Sequence, residues 1–191
     1  MAKKKIVFLI LPQIHLMDLA GPDQVFLEAI DYGADLEIED CGIGDKVESS
    51  AGLAIGQTKH FTGIQFNEGD YLFIPGARIT YMHSEAFRGQ SNLFRWIIEC
   101  HEKNILICSV CSGAFVLGYA GLLDFKKCTT HFKRTDELKR CFPKLIVQEN
   151  VLYVEDQRIF TSAGIASGID MALHILEKIC GPHFAYKVAR E

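Results

Sequence analysis

An apolar run passes directly into a helical pattern in the segment Ile105-Leu-Ile-Cys-Ser-Val-Cys-Ser-Gly-Ala-Phe-Val-Leu-Gly-Tyr-Ala120. Small residues, Ser109 and Gly113, stand two positions before and two positions after Cys111. This spacing is typical of a nucleophile elbow, a tight strand-to-helix turn that has no room for larger neighbours. The segment therefore predicts that Cys111 projects beyond the edge of a sheet, at the start of a helix.

The predicted position of Cys111 also suggests how it reacts. Free amide N–H groups and the positive end of a helix dipole favour a thiolate over a thiol. We therefore expect Cys111 to be the thiol that is alkylated fastest in the chain. The alternative is a small buried residue without a chemical role, as free cysteines usually are.

The remaining cysteines do not suggest a metal site. Cys108 forms a C-x-x-C pair with Cys111, but it falls inside the apolar run, and no second C-x-x-C or C-x-x-H motif completes a zinc site. We expect no metal and no cofactor. The others are interpreted as core residues: Cys41, Cys100, Cys128, Cys141 and Cys180.

Two more uninterrupted apolar runs, Ile6–Leu11 and Tyr71–Ile74, resemble the run that precedes Cys111. Such runs fit strands that are buried on both faces, and segments with helical spacing lie between them. This order predicts an α/β fold, with a parallel sheet between two layers of helices. We also expect a small hairpin near residues 49–52, a late β-hairpin over 151–161 and a helix over about 165–179.

Length and composition limit the possible partners and location. The chain has 191 residues and a formal net charge of -4, so we expect one domain over residues 1–180 that does not itself bind nucleic acid. An odd set of seven scattered cysteines, and no long apolar segment after Lys3–Lys5, indicate a cytoplasmic protein without membrane contact. Residues 181–191 begin a new helix after a Gly-Pro break, and we expect it to lead into a further domain.

Ligands of parallel α/β sheets bind beyond the carboxyl ends of the strands, so the loops at these ends are candidate partners of Cys111. Asp18 follows the first run and lies among apolar residues, where a carboxyl is costly unless it is paired or neutral. Asp18 either hydrogen-bonds the sulfur of Cys111 or caps a helix that Pro22 opens. The sequence leaves both interpretations open.

Two other loops carry candidate residues. After the run ending at Ile74, the N–H groups of Gly76 and Ala77 either join that of Ser112 in an oxyanion hole or belong to a plain turn. His131 is either a general base that polarises the thiol or a surface residue. We assign no role to the other six histidines.

Several separated motifs occur together in an order that resembles the ThiJ/PfpI family of the class I glutamine amidotransferase-like superfamily. They are Asp18-Leu-Ala-Gly-Pro22, Phe73-Ile-Pro-Gly76, Cys111-Ser-Gly-Ala-Phe115, Ala120-Gly-Leu-Leu-Asp124, Thr129-Thr-His131 and Thr161-Ser-Ala-Gly-Ile-Ala-Ser-Gly-Ile-Asp170. The resemblance implies a flavodoxin-like three-layer sandwich, usually a homodimer, with Cys111 at the elbow and Asp18 as its acidic partner. Hydrolytic relatives often have a histidine where Ser112 stands, so a Cys-His dyad at that position is not expected.

Two functions follow from this resemblance. The chain is most similar to the N-terminal domain of AraC-family transcriptional regulators, which implies a domain that senses a small-molecule ligand or oxidation and acts on DNA through a helix-turn-helix domain outside this chain. It is also similar to enzymes of the isonitrile hydratase type, which implies a hydratase or hydrolase with Cys111 as nucleophile and Asp18 as acid and base. The motifs do not separate the two.

Overall fold

Strands and helices alternate along most of the chain, and the computed structural model describes residues 3–44 and 46–191. The strands are β1 (Lys4–Ile10), β2 (Leu36–Gly42), β3 (Val47–Glu48), β4 (Ala54–Ile55), β5 (Lys59–His60), β6 (Tyr71–Ile74), β7 (Leu106–Val110), β8 (Lys127–Cys128), β9 (Ile146–Val147), β10 (Tyr153–Asp156) and β11 (Ile159–Ser162). The helices are α1 (Leu16–Asp31), α2 (Ile79–Met82), α3 (Glu85–Arg88), α4 (Ser91–Glu102), α5 (Ala114–Tyr119), α6 (Thr135–Cys141), α7 (Ile165–Cys180) and α8 (Pro182–Val188).

The main sheet has the strand order β10-β11-β7-β6-β1-β2-β5. Every neighbouring pair is parallel except β10 with β11, which form the predicted late hairpin. The three apolar runs of the sequence lie side by side near the centre of this sheet, as β7, β6 and β1. Because these strands are parallel, the loops after them meet at one edge of the sheet.

Helices cover the two faces of the sheet. On one face, residues of α4, α5 and α6 share a buried hydrophobic cluster with Val7 and Leu9 of β1. On the other face, α1, α7 and α8 pack on Ile6 and Phe8 of the same strand. All four β1 side chains are fully buried, which explains why this strand is apolar without alternation. The predicted three-layer α/β sandwich is confirmed.

The start of α1 differs from the sequence prediction. Helix α1 begins at Leu16, so Pro22 lies inside the helix and does not open it. Pro22 packs against Gly168 of α7, where an added Cβ would lie 3.4 Å from the proline ring and 2.8 Å from Val110. Packing of α1 on α7 therefore outweighs the loss of one helical hydrogen bond at the proline. As a result, Asp18 lies in the first turn of a helix.

The remaining predicted elements are present. Strands β3 and β4 form the small antiparallel hairpin, and α7 covers the predicted late helix. Gly181, with a φ of 86°, ends α7, and α8 follows. Dimerisation and the continuation of residues 181–191 into another domain stay predictions. None of the helices in the described ranges combines the length and the apolar character that a membrane crossing requires.

Candidate functional site

Cys111 occupies a sharp turn between β7 and α5. Its φ is 56°, a left-handed backbone conformation that is uncommon for a residue with a side chain, and a single 3-10 turn over residues 111–113 leads into α5. Gly113 is required because an added Cβ would lie 2.1 Å from the carbonyl oxygen of Ile74. The predicted nucleophile elbow is confirmed, and its small neighbour has a steric cause.

Two threonines hold this elbow from the side of β8. The Thr130 hydroxyl donates a hydrogen bond of 2.7 Å to the carbonyl oxygen of Cys111. The Thr129 N–H donates one of 2.8 Å to the Thr161 hydroxyl at the end of β11. Both threonines are buried, so these hydrogen bonds are shielded from water. They fix the segment that carries His131 beside the elbow.

Asp18 faces Cys111 from the first turn of α1. The loop before α1 is tied to the loop after β6, since the His15 N–H donates a 2.8 Å hydrogen bond to the carbonyl oxygen of Gly76. The Asp18 carboxyl is fully buried and lies near the Cys111 thiol and the Gly76 N–H. Neither neighbour is aligned as a hydrogen bond to it, so both carboxyl oxygens lack a well-formed partner. Burial therefore raises the pKa of Asp18 to about 6.

The thiol of Cys111 is not poised as a thiolate. Its residue is 4% exposed, and burial, followed by the charge of Asp18, raises the pKa of Cys111 to about 12. The N–H and hydroxyl of Ser112 act in the opposite direction but do not reverse this effect. The expectation of a thiolate is therefore wrong, because the elbow buries the sulfur against a carboxyl, and the expectation that Cys111 alkylates fastest stays a prediction. Cys141, at the end of α6, is exposed and is the more accessible thiol, so its interpretation as a core residue was wrong.

The predicted oxyanion donors lie together, but each already has a neighbour within the protein. The Ala77 N–H donates to the Ser112 hydroxyl at 3.1 Å, and that hydroxyl donates to the Ala77 carbonyl at 2.8 Å. The Ser112 N–H faces the sulfur of Cys111, and the Gly76 N–H faces Asp18. An added Cβ at Gly76 would lie 2.4 Å from the Asp18 carboxyl, so this position must be glycine. An oxyanion role for these residues stays a prediction.

A cavity of about 250 Å³ opens beside the elbow. Cys111, Ser112 and Ala77 line it together with the apolar side chains of Ile79 and Ile165. Its other lining residues are His15, His131, Lys133 and Arg134.

His131 thus lies at the same cavity as Cys111, but not in a dyad with it. Its ring nitrogen Nδ1 accepts a 3.3 Å hydrogen bond from the N–H of Lys133. Burial, and then the charges of Lys133 and Arg134, lower the pKa of His131. The imidazole is therefore neutral near pH 7. A role as a general base stays a prediction that requires a bound molecule between His131 and the thiol.

Three basic residues of this cavity were not predicted from the sequence: His15, Lys133 and Arg134. His15 follows β1 and precedes Asp18 by three positions, so the rule that led to Asp18 also applied to it. Lys133 and Arg134 follow His131 in a 3-10 turn that precedes α6. Glu137 orients Arg134 through a 2.8 Å ion pair and also accepts a hydrogen bond from His83 at 2.9 Å.

Known proteins are similar to this chain over most of its length. The family model described as "DJ-1/PfpI family" matches residues 4–178. Isonitrile hydratase of Pseudomonas putida is 32% identical over 183 residues, which cover 93% of this chain and 72% of that protein. The HTH-type transcriptional regulator CdhR of Pseudomonas aeruginosa is 26% identical over 187 residues, which cover 96% of this chain and 53% of the regulator. The chain therefore spans about half the length of CdhR.

Solved structures share the fold. A THiJ/PfpI family protein from Pseudomonas syringae superposes with a TM-score of 0.84 at 29% identity, covering 98% of this chain and 74% of that one. An AraC family transcriptional regulator from Pseudomonas putida superposes with a TM-score of 0.83 at 19% identity, covering 98% of both chains. At that identity, the second comparison supports the flavodoxin-like architecture alone.

Proposed function

The chain belongs to the DJ-1/PfpI family, and from this premise we propose that it is the ligand-sensing domain of a transcriptional regulator. A small molecule binds in the cavity beside Cys111, and its binding changes the activity of a helix-turn-helix domain outside residues 1–191. Relatives named as HTH-type transcriptional regulators support this assignment. The net charge of -4 agrees with a domain that leaves DNA contact to another part of the protein.

The observation that carries this proposal is the hydrogen bonding at the elbow. The Ala77 N–H donates to the Ser112 hydroxyl, while the N–H groups of Gly76 and Ser112 lie near the Asp18 carboxyl and the Cys111 sulfur, so the three donors are directed at different protein atoms and not at one common position. Acyl transfer gains most of its rate from donors that are directed at one position. A site that only binds its ligand does not need them, and the geometry therefore favours sensing over hydrolysis.

The same geometry favours ligand binding over oxidation as the signal. Oxidation of a cysteine begins with its thiolate, whose population falls as the pKa rises. The pKa of Cys111 is raised to about 12, and the residue is 4% exposed. A ligand in the cavity, in contrast, contacts three separate segments: His15 before α1, Cys111 at the elbow and Arg134 before α6. A ligand that binds one arrangement of these segments more tightly than another can therefore shift the protein toward that arrangement.

The sensor proposal predicts that the protein binds a small molecule without converting it to a product. The protein is screened by thermal shift against small carboxylates, amides, α-oxoaldehydes and isonitriles, and the compounds are examined by NMR afterwards. We expect a compound that stabilises the wild type and is recovered unchanged. Ile165→Trp, which fills the cavity mouth, should abolish the shift. Leu152→Trp replaces another exposed aliphatic residue outside this cavity and should leave the shift intact.

A second test concerns the rest of the protein. The coding sequence beyond residue 191 should encode a helix-turn-helix domain. A reading frame that stops there, or that continues without such a domain, would remove the main support for the sensor proposal.

Hydration of isonitriles is the second candidate function, because isonitrile hydratase is 32% identical over 93% of this chain. Asp18 and Cys111 together hold one proton between about pH 6 and pH 12, which suits this reaction. The Cys111 sulfur attacks the terminal carbon of R–NC while the shared proton reaches that carbon through Asp18, giving a thioimidate. Water then adds to the carbon and the thiol leaves with its proton, so that R–NH–CHO is released.

The two candidate functions predict opposite results in one assay. Formamide production from an isonitrile, lost in both Cys111→Ala and Asp18→Asn, would establish the hydratase and replace the sensor proposal. Absence of formamide, with saturable binding in the thermal-shift assay, would support the sensor.

A further inference from the structure

Apart from the thiol of Cys111, the ionisable side chains that line the cavity are all basic. Four of its residues carry titratable nitrogen groups, and none carries a carboxylate: His15, His131, Lys133 and Arg134. Arg78 is a further cation close enough to affect His15. A cavity of about 250 Å³ with this lining attracts a negative charge more strongly than a neutral group.

The acidic groups near the cavity do not cancel these cations. One N–H group of Arg134 pairs with Glu137 at 2.8 Å, and the other guanidinium donors of Arg134 stay available. Asp18 is fully buried behind the elbow. Among residues 3–44 and 46–191, neither Lys133 nor Arg78 has an acidic partner within 4.0 Å. Positive charge at the cavity is therefore in excess.

The pKa values of His15 and His131 show the effect of this positive charge. The charged neighbours that affect His15 are Arg78, His131 and Arg134, and those that affect His131 are Lys133 and Arg134. Every one of them lowers the pKa of its histidine, in addition to the effect of burial. In the part of the chain that the structure describes, no acidic residue is among the neighbours that influence either ring. A bound anion would relieve this mutual repulsion.

We propose that the cavity beside Cys111 takes a small carboxylate, whose charged group lies between Lys133 and Arg134 and whose apolar part packs on Ile79 and Ile165. A guanidinium matches the planar carboxylate, and a lysine adds a second charge without a fixed direction. The neutral imidazoles of His15 and His131 supply hydrogen bonds. This inference names the ligand class of the proposed sensor site and rests on that site being open to small molecules.

Two alkylating reagents of nearly equal size test this charge preference. Both reagents alkylate the same sulfur through their CH₂ carbon, with loss of iodide. Iodoacetate carries a carboxylate on that carbon, whereas iodoacetamide carries a neutral amide. The rate ratio of iodoacetate to iodoacetamide at Cys111 is measured by mass spectrometry near pH 9 and divided by the ratio for N-acetylcysteine. We expect a normalised ratio well above one.

Variants assign the effect to the cavity. Lys133→Gln should lower the normalised ratio about fivefold, which is the order of magnitude expected for the loss of one charge at a partly hydrated site. Lys133→Arg keeps the charge and should preserve the ratio. Lys187→Gln removes an exposed charge from α8, outside the cavity lining, and should leave the ratio unchanged.

The outcomes separate this inference from the proposed function. Labelling of Cys111 with a normalised ratio near one, or a ratio unaffected by Lys133→Gln, would overturn the carboxylate preference and leave the sensor proposal standing. If neither reagent labels Cys111, the thermal-shift assay decides, and absence of stabilisation by any small carboxylate, amide, α-oxoaldehyde or isonitrile would overturn both proposals. Turnover in the formamide assay would replace the sensor function without changing the charge ratio.

Discussion

Replacement of Asp18 by asparagine should remove a pH dependence from the stability of the whole domain. The Asp18 carboxyl is fully buried, and its pKa is raised from 3.8 to about 6. An acid whose pKa is higher in the folded state stabilises that state fully at pH values below its unfolded pKa, and this stabilisation is lost as the pH rises through the folded pKa. The wild type should therefore lose stability between about pH 4 and pH 6.

The size of this loss follows from the two pKa values. A difference of this size corresponds to about 3 kcal/mol, of which about 2 kcal/mol falls between pH 4 and pH 7.5. An asparagine side chain cannot ionise, so the Asp18→Asn variant should lack this part of the pH dependence. The absolute stability of the variant also contains the cost of a buried amide, and only the change with pH is diagnostic.

Urea unfolding at several pH values measures this effect. The matched control is Asp31→Asn, which changes an exposed carboxyl at the other end of α1 and should follow the wild-type pH curve. Measurements stay below pH 8.5, where the Cys111 thiol is mostly protonated both in the unfolded chain, with a pKa of 9.0, and in the folded state, with a pKa of about 12. If the wild type and Asp18→Asn have parallel curves from pH 4 to pH 7.5, the account of a buried, poorly paired carboxyl is refuted.

Three further measurements test the elbow. Gly76→Ala should cost about 1–3 kcal/mol in urea unfolding, since its Cβ would lie 2.4 Å from the Asp18 carboxyl, whereas Gly63→Ala, with no atom within 4 Å, should cost far less; equal effects would contradict the steric argument. Thr130→Val removes the 2.7 Å hydrogen bond to the Cys111 carbonyl and should cost about 1–3 kcal/mol, with faster amide exchange at residues 111–113; unchanged exchange would mean that this bond does not hold the turn. Asp18→Asn should speed iodoacetamide labelling of Cys111 at pH 8, because the charge of Asp18 helps to raise the thiol pKa; slower labelling would exclude that contribution.

Most of the fold follows from local patterns in the chain. The three apolar runs became the adjacent strands β7, β6 and β1, and the small residues around Cys111 became a left-handed turn. These features depend on contacts within a few residues or on burial of a whole strand, and both leave a clear pattern in the sequence. The start of α1 did not follow, because packing of Pro22 on Gly168 involves residues almost 150 positions apart.

The sequence predicted several residues of the candidate site, but it did not predict their protonation. Cys111, Asp18 and His131 were identified from strand-end loops, and the structure brings all three to one place. His15 was missed although it follows the same strand as Asp18. Lys133 and Arg134 were missed because charged residues beside a helix start are common on any surface.

The chain's own sequence was sufficient for the family, the parallel sheet and the turn that carries Cys111, because each of these depends on the spacing of neighbouring residues. The protonation of the elbow and the charge of the cavity required the folded molecule. Both depend on how deeply Asp18 and Cys111 are buried, and on Lys133 and Arg134 lying across the same cavity from His15. Burial and electrostatic potential are sums over groups from distant segments, and no single segment determines them.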